Sequence, residues 1–178
     1  MRLTMQFGTG LALIFLICIC CSSAFGQDAI SPEAKARIEN ATNSLAERMI
    51  SNRTTNLTEI YGLLSDQLGD NPDIFGAAFA FAPVERDGKQ ILAAAYVYRD
   101  GDTIRQKALP EDYNYPESQW YAEPVKQRQP EWSDPYYDDG GAGANVLMTT
   151  YSVPLFTRDE AHNLIGVLTG DLLIKKES

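Results

Sequence analysis

Between Leu68 and Phe75 the apolar period of the chain changes from three-to-four residues to two, and that switch restricts the fold more than any other feature. Before it, Ile38, Ala41, Leu45 and Met49, then Leu57, Ile60, Leu64 and Leu68, recur at the spacing of one helix face. Ser31, Pro32 and Glu33 make a helix start: a hydroxyl to cap, a proline where no amide partner is needed, and an acid at the positive dipole end. The economical reading is one long helix, or two in line, with a bend at the polar stretch 51–56. Gly69, Asp70, Asn71 and Pro72 then stop it.

After the switch, Phe75, Ala77, Phe79 and Phe81 alternate with Gly76, Ala78, Ala80 and Ala82, so large rings take one face of a strand and small residues the other. Arg86, Asp87, Gly88 and Lys89 supply a turn, and Ile91 to Tyr98 the return strand of a hairpin. Residues 103–143 read as an irregular aromatic segment with a short helix from Pro116 to Arg128. Strand patterns resume over Asn145 to Phe156 and Leu164 to Ile174. Helix, hairpin, irregular segment, hairpin is the order of an α+β domain, a long N-terminal helix (27–74) packed on an antiparallel sheet (75–174), with a tail at 175–178.

At the N-terminus, Arg2 precedes an apolar run from Leu11 to Cys21 and the small residues Ala24 and Gly26. That layout is a signal peptide over residues 1–26, cleaved before Gln27, because the run is well short of the roughly 20 residues that span a bilayer. Counting from residue 8 to 26 gives the alternative of an uncleaved membrane anchor. All three cysteines, Cys18, Cys20 and Cys21, lie inside this segment, so none remains for a disulfide, zinc or a nucleophile after cleavage. The remaining chain of about 150 residues suffices for one core. A net charge of −9 opposes binding to nucleic acid or to an anionic membrane surface.

From Trp120 onward the chain resembles the membrane-distal module of Cache (PDC-type) extracellular sensor domains. The resemblance rests on Trp120, Tyr121, Pro124 and Val125, on the run Trp132 to Asp138, on Met148 to Leu155, and on Gly166, Val167, Leu168 and Asp171. It implies a curved, PAS-like antiparallel sheet with a small-molecule pocket on the outer side of the membrane. It also implies ligand contacts from Trp120, Tyr121, Tyr136, Asp138 and Asp171, to which the residue chemistry adds the ring face of Tyr151. In relatives that bind amino acids, an arginine two positions before the tryptophan clamps the ligand carboxylate; here Ser118 stands there. An amine or other neutral-to-cationic metabolite is therefore expected, since a buried carboxylate without a partner is costly. The residue chemistry agrees, because Asp138 and Asp171 can pair with an ammonium group and the aromatic rings offer faces to a cation.

Plainer readings stand beside these. Trp132 suits core packing, and Asp138 and Asp139 next to Gly140 and Gly141 suit a solvated turn. Asp134, Asp138 and Asp139 could supply oxygens to calcium, although their spacing is not that of an EF-hand. Asn40, Asn52 and Asn56 begin N-x-S/T sequons that matter only in a eukaryotic secretory route. His162 is the single histidine, and neither a phosphate loop nor a metal-ligand motif is present, so no cofactor and no catalysis are expected. A hydrolase using Asp138 and Asp171 as acid and base is the remaining enzyme alternative. A binding module of this kind signals through a membrane receptor or other partner, or is part of a truncated receptor. The contrasting class is an interaction protein that dimerises through its N-terminal helix and keeps a vestigial pocket.

Overall fold

The computed structural model describes residues 30–110, 113–138 and 146–176, with side chains as far as residue 174. The signal segment expected over 1–26 and the glycines near 140 lie outside the described residues, as do Asp139 and the end of the tail.

The first helix, α1 (Pro32–Asn52), starts where Ser31 and Pro32 place it: the Ser31 hydroxyl accepts a hydrogen bond from the Ala34 amide. It ends at Arg53, whose backbone takes the left-handed conformation with φ 51° and whose N–H bonds back to Ile50. Asn56 then caps α2 (Leu57–Asp70) by accepting from the Glu59 amide at 3.1 Å. The polar stretch 51–56 is thus a C-cap followed by an N-cap. Gln67 Nε2 donates to Thr42 Oγ1 at 3.2 Å. Twenty-five residues of straight helix would hold that pair about 37 Å apart, so the single rod or in-line pair expected from the sequence is corrected to two helices folded back on one another. The apolar stripes of both helices must reach one core, where Ile38, Leu45 and Met49 of α1 are buried together with Ile60, Leu64 and Leu68 of α2. Among the described residues no helix is long and apolar enough to cross a membrane.

The sheet is antiparallel with strand order β5-β4-β1-β9-β8-β6, and β7 also pairs with β8. Its members are β1 (Gly76–Phe81), β4 (Ala94–Asp100), β5 (Thr103–Ala108), β6 (Glu131–Trp132), β7 (Tyr136–Asp138), β8 (Val146–Phe156) and β9 (Leu164–Lys176). The expected pairing of the first two strands is present as β1 with β4. Between them projects a separate two-stranded hairpin, β2 (Val84–Arg86) with β3 (Lys89–Ile91). Asp87 and Gly88, at φ 52° and 70°, make the mirror-image turn that such short hairpins require. Strand β5 was not anticipated within the irregular segment. Arg105, Gln106 and Lys107 hide its alternation, and such charges suit the sheet edge it occupies.

Both helices lie on one face of the sheet. Ile38, Leu45, Met49, Ile60, Leu64 and Leu68 pack there against Phe79, Val97, Leu155 and Leu168, all buried. Gly170 makes the approach of α1 to β9 close, since a Cβ there would stand 2.6 Å from Thr42 Oγ1 and 3.0 Å from Ile38 Cγ2. Arg99 on β4 ties the sheet to the end of α2 by donating to the carbonyls of Leu68, Asn71 and Ile74. The second face is covered by the segment running from Tyr113 through α3 (Gln119–Gln127) to β7, where Tyr115, Trp120 and Tyr121 pack on Ala80, Ala94 and Val167. The class is α+β, helices against an antiparallel sheet.

Candidate functional site

Alternation along β1 and β9 sends Gly76, Ala78 and Ala80, with Val167, Thr169 and Asp171, to the face away from the helices. The small β1 side chains leave space there, and the aromatic cover does not fill it. What remains is a narrow hollow that opens outward. Its floor is Ala78, Tyr96, Met148, Thr150, Thr169 and Asp171; its cover is Leu109, Tyr113, Trp120, Tyr136 and Asp138. Beside the carboxylates it leaves room for little more than a water molecule. Outside it opens a vestibule of about 800 Å³, which shares the rings of Tyr113, Trp120 and Tyr136 and adds Ser118, Gln119 and Tyr137.

Asp171 and Asp138 are 2% and 4% exposed, and among the described residues no lysine, arginine or histidine lines the hollow. Thr150 Oγ1 donates to Asp171 Oδ1 at 2.9 Å. The Tyr136 hydroxyl lies 2.8 Å from the same Thr150 oxygen, and since that oxygen has one proton and gives it to the carboxylate, Tyr136 is the donor to Thr150. Burial raises the Asp171 pKa to about 7; the Thr150 hydrogen bond opposes the rise and the neighbouring charge of Asp138 adds to it. Burial, followed by the charges of Asp171 and Asp138, pushes the Tyr96 hydroxyl well above its ordinary value. That hydroxyl is buried beside the Asp171 carboxylate, to which it is a hydrogen-bond donor. Burial raises Tyr136 likewise, with Asp171 as the next cause.

Of the six residues expected at the site, Trp120, Tyr136, Asp138 and Asp171 come together around the hollow. Trp120 is held by a hydrogen bond from its indole N–H to the Tyr113 hydroxyl at 3.4 Å and by edge-on contact with Tyr121. Tyr121 itself stands behind Trp120, packed on Tyr115, with its hydroxyl donating to the Phe81 carbonyl. Tyr151 is on the opposite face of the sheet, because its neighbour Thr150 is the β8 residue that faces the hollow. Its hydroxyl bonds Asn43 of α1, and its ring packs on Trp132, whose indole N–H donates to Glu39 at 2.6 Å. Trp132 therefore serves packing, as its plainer reading held. Asp134 accepts from Gln119, and no cluster of three or more metal-ligating side chains occurs among the described residues.

Sequence reasoning passed over Tyr96, Tyr113, Met148, Thr150 and Thr169 in the wall of the hollow. A signal for two of them, Thr150 and Thr169, was present. Thr150 and Ser152 in β8, and Thr169 and Asp171 in β9, put a polar group at every second position of otherwise apolar strands, which marks a polar face. For Tyr113 and Met148 no such pattern exists.

The sequence profile described as "Methyl-accepting chemotaxis protein-like, first PDC sensor domain" matches residues 60–176. The chain belongs to that family of sensor domains. Among solved structures it is similar to the extracellular domain of soHK1S-Z6, described as a histidine kinase, at 29% identity and a TM-score of 0.63, over 79% of this chain and 56% of that one. It is similar in fold to the ligand-binding domain of the Pseudomonas aeruginosa PAO1 amino acid chemoreceptor PctC in complex with GABA, at 18% identity and a TM-score of 0.54, over 79% and 56% of the two chains. The ligand-binding domain of the Campylobacter jejuni chemoreceptor Tlp3 in complex with L-valine gives 15% identity and a TM-score of 0.51 over the same shares. The chain thus spans little more than half the length of these relatives. A search of curated proteins gave no match.

Proposed function

We propose that the protein is an extracytoplasmic sensor module whose hollow binds a small amine or similar neutral-to-cationic metabolite. The observation that carries this reading is the fully buried carboxylate of Asp171, with Asp138 beside it, in one aromatic-walled hollow. Ionising a carboxylate as deeply buried as Asp171 is costly on general grounds, and a ligand ammonium beside it offsets that cost. The rings of Tyr113, Trp120 and Tyr136 give the cation polarisable walls.

Size selects among cations. The space beside the carboxylates suits an NH3⁺ group and excludes a trimethylammonium, so the rest of the ligand extends past Trp120 towards Ser118 and Gln119. These neutral side chains offer hydrogen bonds but no charge, which disfavours a ligand that carries a carboxylate at its far end. Membership in the sensor family and the extracellular relatives support placement outside the cytoplasm. Signal output then requires a partner or further parts of a receptor.

The test is a thermal-shift and calorimetric screen of the purified protein with primary amines, quaternary amines, amino acids, nucleobases and carboxylates. Primary amines are expected to raise the melting temperature and bind saturably. Stabilisation by carboxylates alone would defeat the reading.

A further inference from the structure

A larger cleft, of about 1320 Å³, opens on the helix side of the sheet between the end of α1 and the turn joining β8 to β9. Its floor contains Met49, Ile50, Leu155 and Ile165, and its rim carries Arg53 and Arg158. Met49 and Leu155 are buried at the base of the cleft, and the apolar surface it presents comes mainly from the half-buried Ile50 and Ile165. Among the described residues neither arginine has a carboxylate within salt-bridge distance, in a chain whose net charge is −9. Asp159 is also at the rim, but its carboxylate accepts from the Thr157 hydroxyl at 2.6 Å and from the amides of Ala161 and His162, which commits it to the turn. Arg53 stands at the left-handed C-cap of α1, a position where glycine is the inexpensive residue.

Helix α1 runs antiparallel to β9, since Ile38 and Thr42 lie over Gly170 while Met49 reaches Ile165. The cleft is accordingly about 25 Å along α1 from Pro32, and at the far end of β9 from Lys176. It lies on the face of the sheet opposite the hollow of Asp138 and Asp171 and shares no lining residue with it.

We propose that this cleft binds a small amphiphilic carboxylate of the fatty-acid type, its chain on Met49, Ile50, Leu155 and Ile165 and its head between Arg53 and Arg158. Guanidinium groups match planar carboxylates with paired hydrogen bonds, and the charge complementarity is local to a molecule that is otherwise acidic. A bare inorganic anion would leave the apolar floor in water; an alcohol of the same length would leave the arginines unanswered. The apolar chain and the anionic head are both required.

The probe is decanoate below its micellar concentration, with decan-1-ol and decylamine as head-group controls, titrated calorimetrically into the full chain. Decanoate is expected to bind at one site, and roughly tenfold or more tighter than either control. The exposed pair Arg53→Ala and Arg158→Ala should weaken it by a similar factor while leaving the ligand-free melting temperature within a degree or so. Asp171→Asn, which disables the hollow, should leave decanoate binding intact, so failure of the amine reading and failure of this one are separable. The proposal is overturned if decanoate does not saturate, if decan-1-ol binds equally well, or if the arginine pair has no effect. It is equally overturned if sedimentation shows those arginines holding two copies together while decanoate fails to bind.

Discussion

Gly76 and Asp171 face each other across the β1–β9 ladder, and the side chain that the glycine lacks is what allows the aspartate carboxylate to lie beside the Tyr96 hydroxyl. A Cβ at residue 76 would stand 2.5 Å from Tyr96 Oη and 2.7 Å from Asp171 Oδ2. Both contacts are below what packed atoms tolerate, and both polar groups are buried with little room to retreat.

Gly76→Ala should therefore damage the site more than the scaffold. The displaced tyrosine and carboxylate lose their common aim, and amine affinity is expected to fall by roughly tenfold or more at an overpacking cost of about 1–3 kcal/mol. Calorimetry and urea unfolding on the same preparation separate the two effects. Unchanged affinity would show that Asp171 and Tyr96 do not act together.

Asp171 should also make the ligand-free protein less stable as the pH rises. Its folded pKa of about 7 is above the unfolded value, so between roughly pH 4 and 7 the folded state holds a proton that the unfolded state has lost. Stability contributed by the protonated form is complete below about pH 4 and is lost as the pH rises through about 7, a change on the order of 4 kcal/mol. Asp171→Asn keeps the oxygen that accepts from Thr150 and removes the charge. It should raise the melting temperature near pH 8, leave it nearly unchanged near pH 4, and abolish amine binding. An equal shift at both values would mean that the gain is not electrostatic.

Cation binding should carry the opposite dependence. An ammonium needs Asp171 ionised, so affinity rises by about tenfold per pH unit up to about 7 and levels off above, with close to one proton released per ligand on the acid side. Titration in two buffers of different ionisation enthalpy counts that proton directly. A flat profile between about pH 5.5 and 7 is the outcome that contradicts it.

Thr150, ahead of Tyr96 and Thr169, is the strongest of three hydroxyls that keep Asp171 from titrating still higher. Thr150→Val retains its shape and removes both the donor to Asp171 and the acceptor for Tyr136, at a cost of about 1–3 kcal/mol. The midpoint of the pH–affinity profile should move to higher pH. Tyr151→Phe, one residue along β8 but on the helix face, should cost about 1 kcal/mol through Asn43 and leave affinity unchanged. Equal effects of the two on binding would contradict the assignment of faces.

Ser118 lines the vestibule beside Gln119 and Trp120, where a basic side chain would meet the far end of a bound ligand. Ser118→Arg is expected to improve binding of amino acids relative to the matching amines by roughly tenfold. The comparison of each amine with its carboxylated counterpart, measured on both proteins, is the check.

Much of this molecule can be read along the chain. The two periods on either side of Leu68 and Phe75 separate helices from strands, the capping residues Ser31 and Asn56 place helix starts, and a carboxylate such as Asp171 inside an apolar strand announces a buried polar site. These are local facts, decided by residues within a few positions of each other. Strand β5 escaped because its polar edge position erases the alternation, and the break between α1 and α2 became a fold-back only because both apolar stripes are buried in one core, where Gln67 also meets Thr42.

What the sequence by itself determined is which residues share a face of an element: Ala78 with Gly76, Thr169 with Asp171, Thr150 with Met148 and Ser152. Which face meets the helices and which meets the aromatic cover was decided only by tertiary pairing, because in a strand a shift of one residue exchanges the two sides. That is why Thr150 is in the hollow and Tyr151 is against α1. The site joins Gly76 to Asp171 and Tyr96 to Asp138 across long stretches of chain, and no local spacing encodes contacts that exist only once β1 has inserted between β4 and β9.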